Sequence, residues 1–160
     1  MMKKLCLVLL AAALAAPAAA GDLNSWIELA RKDLATAKQA ILTEVMDFSA
    51  TEADAFWPIY REYQTEAAAW GDRRIALLKG YANSFDTMND VSADKLVNDS
   101  IKLQEDRTAL MKKYYKKFNK AVGPTKAARA IQVENQLNTL IDLQIMSETP
   151  LIEAGEMTVK

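Results

Sequence analysis

The sequence predicts an all-α protein: four helices in a helical-hairpin architecture, elongated, with a bend near Pro58. Three observations lead there. Apolar residues recur at intervals of three and four, never in sustained alternation, so the chain carries helical stripes and no strand pattern. Glycine and proline are scarce, five and four in the whole chain, so few positions break a helix. Alanine, leucine, lysine, glutamate and glutamine, which lose little side-chain freedom in a helix, are abundant.

The first helix is expected over residues 25–46, where Ile27, Ala30, Leu34, Ala37, Ile41 and Val45 form one stripe. Asp47-Phe48-Ser49 ends it. The second begins with Ser49-Ala50-Thr51-Glu52, a serine and a glutamate three apart, the spacing of a capping box in which each side chain satisfies a backbone donor of the other. Its stripe of Phe56, Ile59, Tyr60, Tyr63, Ala67, Trp70, Leu77, Leu78 and Tyr81 makes about thirty residues, or ~45 Å at ~1.5 Å per residue. Pro58 falls too late to be a first-turn proline, so a bend is expected there. Trp70 is in register with the stripe; Trp57 is off it and is the better candidate for an exposed contact.

A polar stretch over 83–90 separates this helix from the third. That one is expected from near Ser92 to about Ala121, with Leu96, Leu103, Leu110, Tyr114 and Phe118 inward. Gly123-Pro124 makes the next turn. The fourth helix is expected over 125–146, with Ala130, Ile131, Leu137, Leu140, Ile141 and Ile145 inward, and residues 147–160 read as a loose tail.

Residues 1–20 read as a signal peptide and not as part of the fold. Lys3 and Lys4 precede an uncharged apolar run over 5–16, Pro17 breaks it, and Ala18-Ala19-Ala20 offers small residues for cleavage after Ala20. The run is too short for a membrane span, which needs ~20 apolar residues. Export with cleavage leaves 140 residues: a single helical domain over 21–146 and the tail, with 18 basic against 21 acidic side chains. That balance does not suit a nucleic-acid binder. The only cysteine, Cys6, leaves with the signal, and the chain has no histidine. The usual ligands of zinc, copper and iron are then missing, as is the commonest general base near neutral pH. No glycine-rich phosphate loop, no nucleophile elbow and no His-Glu-x-x-His occurs. Glu105 and Asp106 are adjacent and diverge by ~100° on a helix, so they make no paired-carboxylate site. The expectation is a protein without cofactor or metal that acts by binding, not an enzyme.

One charge pattern stands out. From residue 107 to 133 there is no acidic residue, while Arg107, Lys112, Lys113, Lys116, Lys117, Lys120, Lys126 and Arg129 are basic. With Leu110, Tyr114 and Phe118 facing inward, Lys112, Lys113, Lys116, Lys117 and Lys120 cover the opposite side and one flank, and Met111 and Tyr115 take the other flank. This is a basic ridge beside a partly exposed aromatic edge. It suits docking of acidic or unfolded polypeptide, or contact with an anionic membrane surface. It also suits a purely solvated helix face whose lysines complement the helix end. Arg73 and Arg74, after Trp70-Gly71-Asp72, form a smaller basic patch with the same two readings.

Several stretches between residues 41 and 145 resemble the Spy/CpxP-like group of exported helical proteins, the LTxxQ family. They are Phe48-Ser49-Ala50-Thr51-Glu52, Phe56-Trp57-Pro58-Ile59-Tyr60, Asp72-Arg73-Arg74, Leu103-Gln104-Glu105-Asp106-Arg107, Lys126-Ala127-Ala128-Arg129 and Gln132-Val133-Glu134-Asn135. The chain departs from the motif itself: neither Phe48-Ser49-Ala50-Thr51-Glu52 nor Val122-Gly123-Pro124-Thr125-Lys126 reads Leu-Thr-x-x-Gln. The resemblance implies a curved four-helix fold, often a cradle-shaped dimer, in the periplasm. It implies ATP-independent chaperoning of unfolded proteins, or docking on the periplasmic domain of an envelope-stress sensor kinase. Metal sensing relies on histidines in that group and does not carry over. Together these expectations make the chain a periplasmic chaperone-like binder of unfolded or envelope proteins, with a signalling accessory as the alternative and a homodimer possible. Its partner-binding residues would be Arg73, Arg74, Arg107, Met111, Lys112, Lys113, Tyr115, Lys116, Lys117 and Lys120.

Overall fold

A computed structural model describes the backbone of residues 23–152 and the side chains of residues 34–152. The signal peptide with Cys6, the side chains of Ile27 and Ala30, and the tail beyond Ile152 lie outside the described residues. Every regular element described is helical: α1 (Leu23–Met46), α2 (Ala50–Ser84), a single 3-10 turn (Phe85–Thr87) and α3 (Asp90–Glu148). The protein is all-α, and among the described residues no helix is long and apolar enough to cross a membrane. The chain divides into two compact units, residues 1–40 and 41–160. Of the first, the described part is the stretch of α1 up to Ala40, in which Leu34, expected on the buried stripe of the first helix, is exposed. All that follows concerns the second.

Local sequence explains each boundary. Ser49 caps α2: its Oγ accepts from the Glu52 N–H at 3.3 Å, and Glu52 Oε2 accepts from the Ser49 N–H at 2.9 Å, which completes the capping box. Pro58 lies on the exposed side of α2, and the helix runs through it to Ser84, past the start of the expected polar stretch. Asn89 caps α3, which starts at Asp90, two residues before the expected start near Ser92. Asn89 Oδ1 accepts from Val91 and Ser92 N–H at 3.1 Å each, while Ser92 Oγ accepts from the Asn89 N–H at 2.9 Å.

The sequence divides into four helices what the structure carries as three helical segments, the last of 59 residues. Yet α3 is not regular throughout. Gly123 has φ 79° and ψ 166°, a conformation outside the helix and open almost only to glycine. It parts α3 into an N-terminal arm (90–122) and a C-terminal arm (124–148). Pro124 opens the second arm, where its missing N–H is least needed.

The order of cross-helix pairs gives the directions. Along α2, Glu62, Glu66 and Arg73 meet Lys117, Lys113 and Asp106 of the N-terminal arm, a falling series. Glu52, Tyr60 and Arg74 meet Lys126, Glu134 and Asp142 of the C-terminal arm, a rising series. The two arms therefore flank α2 in opposite senses.

Their shared core holds Leu42 and Met46 of α1, Phe56, Tyr60 and Tyr63 of α2, and Tyr114, Phe118, Ala127 and Ala130 of α3. Aromatic rings dominate it: Phe56 lies 4.7 Å from both Phe48 and Phe118, and Tyr63 lies 5.4 Å from Tyr114, centroid to centroid.

Three expected placements differ. Leu42 and Met46 are the fully buried residues of α1, while Ile41 and Val45 are half-buried. The four form two adjacent apolar rows, and periodicity alone does not choose between rows. Leu140 is exposed, because Leu137, Ile141 and Ile145 define the inward face and Leu140 stands ~100° from Ile141. Trp57 packs edge-on against Phe56 and Tyr60, at 5.2 and 5.7 Å, and is not an open contact.

A Cβ at Gly123 would meet nothing within 4 Å, so substitution there isolates backbone strain from packing. We expect Gly123→Ala to lose about 2 kcal/mol in urea unfolding. An unchanged midpoint would show that the break needs no positive φ.

Candidate functional site

The eight basic residues of 107–133 do two different jobs. Four are tied into the fold. Arg107 pairs with Asp142 at 2.7 Å, Lys113 with Glu66 at 2.6 Å, Lys117 with Glu62 at 2.6 Å, and Lys126 with Glu52 at 2.5 Å. The other four, Lys112, Lys116, Lys120 and Arg129, are exposed and have no acidic partner among the described residues. The ridge is thus split lengthwise. One row faces the glutamates of α2, and the next faces solvent.

The paired row is well anchored. Lys113 spreads over both Glu66 oxygens, at 2.6 and 2.8 Å, and the Tyr114 hydroxyl donates to Oε1 of the same carboxylate at 2.8 Å. Lys113 first, then Tyr114, holds the Glu66 carboxyl below its ordinary range. Burial, then Glu66, pushes the Tyr114 hydroxyl up. The ammonium groups of Lys113 and Lys117 also sit over the Tyr114 ring, at 5.3 and 4.8 Å.

The smaller basic patch is divided as well. Arg73 is exposed and pairs loosely with Asp106 at 3.4 Å. Arg74 and Arg107 converge on Asp142 at 2.6 and 2.7 Å, with side chains only 21 % and 16 % exposed. Their guanidinium groups lie 5.6 and 5.2 Å from the Trp70 ring centre, and Trp70 Nε1–H donates to the Leu103 carbonyl at 2.8 Å. Burial works against the charge on Asp142, but Arg107 and Arg74 outweigh it and keep its carboxyl below the usual range. Arg74 and Arg107 are spent on this internal clamp.

Met111 and Tyr115 are half-buried, and Tyr115 lies on the flank turned toward the C-terminal arm. There Tyr115, Ala128, Ile131, Gln132, Asn135, Gln136, Thr139 and Leu140 line an open groove of about 650 Å³. A second furrow, of about 680 Å³, runs between the end of α2 and the start of α3, over Leu77, Gly80, Leu96 and Leu103. Its rim charges neutralise one another: Lys95 pairs with Asp99 at 2.6 Å and Lys102 with Asp106 at 2.5 Å. Among the described residues no cluster of His, Cys, Asp or Glu could hold a metal ion.

A further feature is Glu134, which stands in the stretch Gln132-Val133-Glu134-Asn135 but is not marked by the sequence as buried. Glu134 is 1 % exposed, and its carboxylate accepts from the Tyr60 hydroxyl at 2.6 Å and the Tyr63 hydroxyl at 3.1 Å. Burial first, then the Glu134 charge, pushes both hydroxyls well above the ordinary tyrosine value, so they stay protonated donors. The signal was present. The fourth apolar stripe jumps from Ile131 to Leu137, and the position it skips, four after Ala130 and three after Ile131, is Glu134. Arg129 counts among the eight basic residues, and Gln132 and Asn135 stand in a stretch that carries the resemblance, but the sequence assigns none of them, nor Gln136, to a binding surface. Val133 and Glu134 interrupt the amides, so no uniform polar run marks them.

Two outcomes follow from this geometry. Glu134→Ala strands two buried hydroxyls and leaves a void, so we expect a loss of about 3 kcal/mol in chemical denaturation, with Glu134→Gln losing less. A surface-like loss below 0.5 kcal/mol would refute that account. Glu52 titrates near 2 in the folded chain against an ordinary 4.5, lowered first by Lys126 and then by Ser49. A depressed carboxyl stabilises above its unfolded value and loses that contribution as pH falls to the folded one. Stability measured from pH 5 to pH 2 should therefore fall more steeply in the native chain than in Glu52→Gln, and parallel curves would contradict it.

Compared with family models, curated proteins and solved structures, the chain has no match.

Proposed function

We propose that this is an exported, periplasmic, ATP-independent chaperone-like protein that holds unfolded or partner polypeptide on the outer face of α3 and works by binding, without catalysis. The observation that carries the reading is the row of unpaired cations, Lys112, Lys116 and Lys120, next to the half-buried Tyr115 edge and its groove. Unpaired surface charge attracts an oppositely charged chain over about a Debye length, ~8 Å at physiological salt. Partly exposed aromatic and apolar surface then holds it at contact. Neither element alone suffices: charge without apolar contact releases its partner in salt, and apolar contact without charge is slow to find one.

The likeness to the Spy/CpxP-like group supports the same reading, and with it a working unit of four helices in which the two arms of α3 act as the third and fourth. Arg73 and the exposed lysines belong to the working surface. Arg74, Arg107, Lys113 and Lys117 serve it indirectly, by holding the arms on α2.

Light scattering of an aggregating client tests the proposal. A molar excess of the protein should suppress aggregation at low salt. The variant Lys112→Gln/Lys116→Gln/Lys120→Gln should suppress it several-fold less, because all three side chains are exposed and their loss leaves the fold intact. Unchanged aggregation at molar excess would end the chaperone reading. Full activity in the variant would move the surface elsewhere. A pull-down from envelope extract that returns one stoichiometric partner, not a spread of unfolded proteins, would favour the signalling accessory.

A further inference from the structure

We propose that the groove between the two arms of α3 is a subsite for an acidic polypeptide segment bound in extended conformation, through its backbone. The proposal rests on the polypeptide-binding reading above and names the part of the partner that this groove takes.

The lining sets the chemistry. Gln132, Asn135 and Gln136 are exposed, and none of their side-chain amides has a hydrogen-bond partner among the described residues. An amide both donates and accepts, which matches the alternating N–H and C=O of a peptide backbone whatever its side chains. Tyr115, Ile131 and Leu140 supply apolar surface between those amides. No residue lining the groove is charged, so the lining itself repels neither sign.

Dimensions choose the conformation. The lining spans residues 128–140 of the C-terminal arm, about 18 Å at ~1.5 Å per residue. An extended chain covers that with about five or six residues at ~3.3 Å each. A helix would turn its backbone groups inward, out of reach of the amides.

Charge chooses the sequence. Lys112, Lys116 and Lys120 on one arm and Arg129 on the other are the unpaired cations, and no acidic residue lies between 107 and 133 to offset them. None of them lines the groove, but the Arg107–Asp142 pair across the Gly123 break sets Lys112, Lys116 and Lys120 level with about residues 137 to 129 of the C-terminal arm, along its length. A segment that alternates carboxylates and apolar residues along its length fits both features.

Fluorescence anisotropy tests this with three labelled hexapeptides: alternating Asp and Leu, the same with Lys for Asp, and the Asp-Leu peptide with alternate backbone nitrogens methylated. At low salt the acidic peptide should bind at least tenfold tighter than the basic one. Backbone methylation should cost at least fivefold, and so should Gln132→Ala/Gln136→Ala, checked for native helicity by circular dichroism. Equal affinity for acidic and basic peptides, or indifference to backbone methylation, overturns the inference. If no peptide binds while the protein still suppresses client aggregation, the groove is not the subsite and the chaperone reading survives. If both fail, both fall.

Discussion

A carboxylate shut away from water must receive its hydrogen bonds from the chain itself, and the side chain of Glu134 receives them from two tyrosines of α2. Tyr60 and Tyr63 lie three apart on one face of that helix and reach both carboxylate oxygens, at 2.6 and 3.1 Å. Moving the C-terminal arm by one residue in either direction would turn Glu134 by ~100° and bury the charge against apolar side chains, at a penalty of several kcal/mol. The arm therefore has one low-energy register on α2. The other pairs agree with it: Lys126 meets Glu52 eight residues before Glu134 meets Tyr60, on both helices. Neutral donors suit the position, because they satisfy the carboxylate without bringing a second charge into the core, and their raised pKa values keep the donated protons in place.

With register fixed, the lysine doublets acquire meaning. Lys112-Lys113 and Lys116-Lys117 repeat every four residues, so one member of each doublet lies on a row and the other on the row ~100° away. Lys113 and Lys117 reach Glu66 and Glu62. Lys112 and Lys116, continued by Lys120, face solvent. Such exposed ion pairs contribute little individually, ~0–1 kcal/mol each. Their service is to neutralise the α2 flank, which leaves the net positive charge concentrated on the outer row and on the arms next to Gly123.

Much of this fold is legible in the sequence because it is written locally. The capping box at Ser49 and Glu52, the Gly123-Pro124 break, and the stripes Phe56-Tyr60-Tyr63 and Tyr114-Phe118 each depend on residues within a few positions of one another. What stays hidden depends on distant partners. Whether Lys113 or Lys112 is paired turns on the position of Glu66, 47 residues away along the chain. Arg74 and Arg107 look like surface cations until Asp142 is brought between them. Leu42 and Met46 compete with Ile41 and Val45 on equal apolar terms, and only contact with the aromatic core decides. Glu134 is the intermediate case: the gap in its stripe is visible, but the hydroxyls that make its burial tolerable come from another helix.

The shifted ionisations bear on what such a molecule does. Glu52, Glu66, Asp106 and Asp142 are all pushed down, and Tyr60, Tyr63 and Tyr114 are all pushed up. Each of these groups is also engaged by a partner, Lys126, Lys113, Lys102, Arg107, Glu134 or, for Tyr114, Glu66, and all but the Lys102–Asp106 pair join α2 to α3 or one arm to the other. The chain's strongest polar interactions are thus spent on holding α2 and the two arms of α3 in register. What remains unspent, the amides of Gln132, Asn135 and Gln136 and the cations Lys112, Lys116, Lys120 and Arg129, lies outside the core and can meet another molecule without loss to the fold. That separation between a committed interior and an uncommitted surface is what reversible binding requires, because a partner can come and go without reorganising the helices that present the site.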